Sequence, residues 1–167
     1  QKNFVDNVIA RVTGGSASLI DGRLSVTPGG HANLYLLNPQ GVIFGSGASL
    51  DVPGGFHVST ASFVKFQDGA RFGASPVNSH LSSADPSAFG FSQTAASNNA
   101  LITVRSGADL KAAPNQSLDF VAGRIELSGG SRLSVQSDAR LNSGSIADLR
   151  LQTAGPGQTV SLLKNAS

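Results

Sequence analysis

Apolar residues along this chain fall in pairs two positions apart, with a glycine between one pair and the next. The pattern apolar-x-apolar-x-x-Gly-x-x-apolar-x-apolar occurs four times. Val42, Phe44, Gly47, Leu50 and Val52 make the first copy, and Val64, Phe66, Gly69, Phe72 and Ala74 the second. Ile102, Val104, Gly107, Leu110 and Ala112 make the third, and Ile125, Leu127, Gly130, Leu133 and Val135 the fourth. The glycines follow one another at two nearly equal steps with one longer step between them. An i, i+2 pair puts both side chains on one face of an extended strand. The glycine suits a corner, where positive φ or close backbone approach excludes a Cβ. Each copy therefore predicts strand, corner, strand, with both strands facing one interior. A period of about 22 residues marks a solenoid, in which equivalent apolar positions stack into a continuous core. The predicted fold is all-β, a right-handed parallel β-helix. Short strands at regular spacing also suit a β-sandwich, but a sandwich has no reason to repeat one glycine at one phase.

The longer step, from Gly69 to Gly107, predicts one coil plus an insertion of about 16 residues. The segment Gly73 to Asn99, rich in Ser, Ala, Asn and Pro, supplies it as an excursion outside the helix. Within it Phe89 and Phe91 flank Gly90 and predict an apolar anchor on the side of the solenoid. Beyond Asn142 the pattern weakens. Leu149, Leu151, Gly155-Pro156-Gly157, Val160 and Leu162 predict a degraded fifth coil over 142–167. Residues 1–167 thus read as one domain. Phe4 to Val12 is the one stretch that admits a short turn of helix, against which its Val and Ile residues count.

Composition sharpens the picture in three places. Charged residues are only 13%, about half the usual share, so surface polarity must come from Ser, Thr, Asn, Gln and Gly. The net charge of +2 is carried by singly scattered Lys and Arg without interleaved aromatic residues, which excludes a nucleic-acid footprint. The chain holds no Cys, so it carries neither a disulfide framework nor a thiolate metal site. It also lacks Met, so it does not open on an initiator and reads as processed or as a fragment of a longer protein. No apolar run approaches the length of a membrane span.

Candidate chemistry is sparse. His31, His57 and His80 share no metal-ligand spacing, and His57, between Phe56 and Val58, reads as an outward or hydrogen-bonded strand residue. Asp51, Asp68 and Asp109 fall near equivalent corners and would need to converge within about 5 to 9.5 Å to act as a glycosidase pair. Turn formation suits corner aspartates better. No nucleophile elbow, phosphate loop or calcium nonapeptide occurs. The carbohydrate-binding or carbohydrate-active alternative would want an exposed aromatic ladder, yet there is one Tyr and no Trp, and three of the nine Phe, Phe44, Phe66 and Phe72, occupy repeat positions. No cofactor or metal is expected.

The densest signal lies between Ala32 and Phe66. Leu34 and Leu36 alternate with Asn33, Tyr35 and Leu37, and then Asn38-Pro39-Gln40-Gly41 interrupts before Val42-Ile43-Phe44. Asn first, Pro second and Gly fourth predict a type I turn. Pro53-Gly54-Gly55 predicts a further sharp corner. The run from Asn33 to Gly45, followed by Ala48 to Val52 and Phe56 to Ala61, resembles the filamentous-haemagglutinin secretion domain of two-partner secretion exoproteins. That family carries an Asn-Pro-Asn-Gly-Ile element, which Asn38 to Val42 matches with Gln40 for the second Asn and Val42 for Ile. The likeness extends less sharply through Leu81 to Phe91 and the later repeats.

The resemblance implies a right-handed parallel β-helix with cap strands at its N-terminal end. It implies a non-enzymatic module recognised by the periplasmic POTRA domains of an outer-membrane TpsB transporter. The exoprotein, an adhesin or similar effector meeting a host or cell-surface ligand through downstream regions, would cross the periplasm and fold at the cell surface of a Gram-negative bacterium. Asn38, Pro39, Gln40, Gly41 and Val42 would belong to the folding nucleus or to the transporter-binding surface. Family members carry further residues and a second Asn-Pro motif upstream. The resemblance therefore implies a trimmed portion of a longer exoprotein, or cap strands supplied by another chain.

Overall fold

The chain winds three short strands per turn, and each strand pairs with its equivalent one turn away. The computed structural model describes residues 5–27, 30–77, 79–92, 100–135, 149–153 and 160–163. The first coil holds β1 (Asn7–Arg11), β2 (Ser18–Ile20) and β3 (Arg23–Ser25). The second holds β4 (Asn33–Leu37), β5 (Val42–Phe44) and β6 (Ser49–Asp51). The third opens with β7 (Phe56–Ser59) and then leaves the helix through β8 (Phe63–Phe66), β9 (Arg71–Gly73) and β10 (Pro86–Gly90). It resumes with β11 (Leu101–Val104) and β12 (Asp109–Lys111). The fourth coil is β13 (Leu118–Ala122), β14 (Arg124–Ser128) and β15 (Arg132–Ser134). The fifth contributes β16 (Leu149–Thr153) and β17 (Val160–Leu163).

Three parallel sheets form the walls, in the orders β1-β4-β7-β13-β16, β2-β5-β11-β14-β17 and β3-β6-β12-β15. This is the parallel β-solenoid that the repeat predicts. Leu34 lies beside Phe56 and Ile102 beside Ile125, each pair one period apart in sequence. The period-2 alternation sends one side chain inward and the next outward. In β4 and β7, Leu34, Leu36, Phe56 and Val58 line the core, while Tyr35 and His57 face out. Phe44, Phe56 and Phe120 stack edge-to-face at 5.9 to 6.3 Å in the centre. Each contributes about 1.5–3 kcal/mol by burial, and each aromatic pair about 0.5–1.5 kcal/mol more.

The second copy of the repeat is not a coil. Val42 of the first copy pairs directly with Ile102 of the third. Val64 and Phe66 belong to β8, which pairs antiparallel with β9 and β10 in a separate three-stranded sheet. The departure from the helix therefore begins at Phe63, not at Gly73. The chain then reverses fully at Gln67-Asp68-Gly69. Asp68 Oδ1 accepts the Ala70 N–H at 2.9 Å, and Gly69 takes φ +88°. The i, i+2 pairs still bury one face, but against the outside of the β1-β4-β7 sheet. There Leu37, Ala61, Val64 and Ala74 form a second core, with Phe89 and Phe91 packed on it as the anchor expected of them.

The helical turn admitted for Phe4–Val12 is replaced by β1, whose Asn7 to Arg11 pair with Asn33 to Leu37. The stiff Val and Ile side chains suit a pleated surface, and β4 supplies the ladder. Leu149 to Thr153 and Val160 to Leu163 continue two of the sheets as the fifth coil. The glycine-proline turn at 155–157 lies outside the described residues.

Candidate functional site

The turn Asn38–Val42 joins β4 to β5 and sits where three coils meet. Gly41 N–H donates to Asn38 O at 3.1 Å, closing the four-residue turn that the sequence predicts. Asn38 is fully buried, and each of its polar groups has a partner. Its Nδ2 donates to Ser18 Oγ at 2.9 Å and to Ser16 O at 3.2 Å, both on the first coil. Its Oδ1 accepts the Gln40 N–H at 3.0 Å. Its backbone N–H donates to Ser59 O on the third coil at 3.0 Å. Gly41 holds φ +117°, and a Cβ there would lie 2.8 Å from Leu101 O. Its own carbonyl accepts the Ser18 N–H at 3.0 Å. Val42 is buried in the main core. Pro39 is half-buried and Gln40 is exposed. The turn therefore divides: Asn38, Gly41 and Val42 face inward to the coils, and Pro39 and Gln40 face solvent.

The repeat glycines share a phase but not a geometry. Gly107 and Gly130 have φ of +93° and +83° at the third position of turns closed by Ala108 N–H to Arg105 O and Ser131 N–H to Ser128 O. A positive φ at that position is what a type II turn requires. Gly47 occupies the equivalent turn without a positive φ. Its N–H donates to Asp21 Oδ1 at 2.7 Å, and a Cβ would sit 3.2 Å from that oxygen. Gly69 turns the hairpin described above. Asp21, at the corner one coil earlier, is an acceptor that the repeat pattern does not reveal, because that corner is two residues shorter than the next.

The titratable candidates are spread over the third wall, the hairpin and the first wall. Asp51 and Asp109 lie exposed on β6 and β12, where Asp109 pairs with Ser49 and Asp51 sits 3.7 Å from Arg23. Asp68 is remote in the hairpin, and its pKa is lowered by the hydrogen bond from Ser82 and by the Ala70 N–H. His57 is a hydrogen-bonded strand residue: Nδ1 lies 2.6 Å from Asp119 Oδ2, and its ring stacks on Tyr35 at 4.4 Å. Burial, followed by the Asp119 and Asp85 charges, pushes Tyr35 from 10.0 up to about 12. This Tyr35–His57–Asp119 row crosses three coils that are distant in sequence, so only the register brings it together. Among the described residues no group of His, Cys, Asp or Glu could hold a metal ion.

The geometry defines a short-coiled parallel β-solenoid with a laterally docked antiparallel sheet. The family model of the TPS secretion domain matches residues 1–165, and the chain belongs to that family. It is thus a secretion domain of a two-partner secretion exoprotein, a class exported by Gram-negative bacteria with a TpsB transporter as partner. No curated protein and no solved structure matches the chain.

Proposed function

We propose that this domain is the recognition module by which its exoprotein engages the POTRA domains of its TpsB transporter, that it carries no catalysis, and that the Asn38–Val42 turn contributes to the recognised surface. The observation that supports this reading is the division of the turn. Inward bonds from Asn38 hold the backbone rigid, and a rigid turn presents Pro39 and Gln40 at little entropic cost. Folding of the coils at the cell surface then favours outward movement, since each finished coil offers a ladder and an apolar floor to the next. The adhesin-like role of the whole exoprotein belongs to the same proposal and rests on the family alone.

The test is titration of the purified POTRA domains with this protein and with Gln40→Ala, Pro39→Ala and Asn38→Ala. Gln40→Ala removes only exposed atoms. A fold unchanged by circular dichroism together with weaker binding supports the turn as contact surface. Full binding by Gln40→Ala and Pro39→Ala, with loss only in Asn38→Ala and in parallel with stability, assigns the turn to folding instead. Absence of saturable binding by the folded wild-type protein rejects recognition by this portion of the chain.

A further inference from the structure

We propose that the β8–β10 excursion is a clamp that fastens the first coil to the second and opens and closes with β1 as one unit, separately from the later coils. The proposal does not depend on the transporter reading. The second core is built from Ile9 and Leu37 on the solenoid and from Val64, Ala74, Phe89 and Phe91 on the excursion. All of these precede β11, so this core needs nothing from the coils that follow.

Polar ties converge on the same strand. Arg11 donates through one guanidinium nitrogen to Gly73 O at 3.0 Å and to Ser79 Oγ at 2.8 Å. Its guanidinium carbon lies 4.6 Å from the centre of the Phe72 ring, so charge and planar face are both used. Ser79 Oγ in turn accepts the Gly73 N–H at 3.0 Å. Asn7 Nδ2 reaches Asp85 Oδ1 at 3.3 Å, and Phe89 tilts over Tyr35 at 6.2 Å. Both ends and the middle of β1 are therefore held by the excursion.

Among the described residues the first coil has the thinnest contacts of its own. Its strand β1 ends its sheet and pairs only with β4 among the described residues. The neighbouring β2 and β3 are three residues each. The core-facing side chains of this coil, Val8, Val12, Ile20, Leu24 and Val26, are only partly buried. A strand with one neighbour and half-buried contacts opens early unless something else holds it. The clamp closes loops of 62 to 78 residues, and its apolar core and three polar ties act together against that entropic cost. In a chain folding from its N-terminal side, closure is complete once Phe91 is available, before β11 joins.

The experiment is native-state hydrogen exchange, read strand by strand on the full chain, for wild type, Arg11→Ala, Phe89→Ala and Ser79→Ala. In wild type, β1 and β8–β10 are expected to share one opening free energy below that of β12–β14. Arg11→Ala and Phe89→Ala should speed exchange in β1 and in the excursion together by tenfold or more, tenfold being about 1.4 kcal/mol, with β12–β14 unchanged. Ser79→Ala removes one hydroxyl and cannot empty the core, so it gives the same paired response, several-fold, if the larger changes unfold the protein. The proposal is overturned if the excursion loosens while β1 keeps its protection, or if all strands accelerate equally.

Discussion

Asn38 shows how much one side chain can carry in a coil turn. Its two side-chain N–H groups, its side-chain oxygen and both backbone groups are bonded without access to water. Asn38→Ala leaves Ser16 O, Ser18 Oγ and the Gln40 N–H without this partner, at about 1–3 kcal/mol for each that water cannot reach. Asn38→Asp keeps the shape but replaces two donors by an acceptor facing two oxygens. We expect both to lower the urea midpoint with the slope unchanged, the change to Asp at least as strongly as the change to Ala. Tyr35 offers a second residue-scale measurement, because it is the single Tyr in a chain without Trp. Phenolate absorbance should titrate at about 12 in the folded protein and near 10.0 in urea. A group whose folded pKa is raised contributes stability that is complete below its unfolded value and fades as pH rises through the folded one. Stability should therefore fall between pH 10.0 and about 12, and Tyr35→Phe should remove that part of the fall. The turn at Asn38 is legible from residue order alone. The Tyr35–His57–Asp119 row is not, since its members stand on three separate coils and meet only through the strand register.

At the scale of the element, the corner is the unit that the repeat encodes, and its glycines answer to different constraints. At Gly107 a new Cβ meets a φ of +93° and the Ser46 carbonyl at 3.0 Å. At Gly47 it meets the carboxylate oxygen of exposed Asp21 at 3.2 Å and the Asp21 carbonyl oxygen at 3.3 Å, with no positive φ. Gly107→Ala is expected to cost about 1 kcal/mol or more and Gly47→Ala less, as read from paired thermal or urea midpoints. Equal costs would show that the shared phase, not the local backbone, sets the requirement. The corners also account for the second repeat copy, which has the pattern of a coil and the structure of a hairpin. Asp21-Gly22 separates β2 from β3 at a solenoid corner, and Asp68-Gly69 reverses β8 into β9. Both are Asp-Gly between apolar alternations, so the local signal is the same. What differs is the partner. β2 and β3 find parallel neighbours in β5 and β6, whereas β8 finds β9 and β10.

For the whole molecule, stability rests on the aromatic centre where Phe44, Phe56 and Phe120 meet. Phe44→Ala should cost about 3–5 kcal/mol, enough to unfold a marginal domain, since the rigid parallel walls cannot collapse into the space. Leu19→Ser, on the outer face of β2 and 59% exposed, should stay within about 0.5 kcal/mol by the same denaturant measurement. Period, glycine phase and short-range turn chemistry are written in residue order. They specify the class of fold, the coil length, the inward faces of the strands that join the stack and the closing turn at Asn38, while the family is legible through the resemblance of the run from Asn33 to Gly45. Which copy of the repeat joins the stack was settled only in three dimensions. So was the point at which the excursion starts, and so were its ties to Arg11 and Asn7, which lie 62 and 78 residues from their partners. The physical reason is that an i, i+2 apolar pair specifies a buried face but not the surface that buries it. A turn residue likewise specifies a reversal or a corner only once the neighbouring strand is in place.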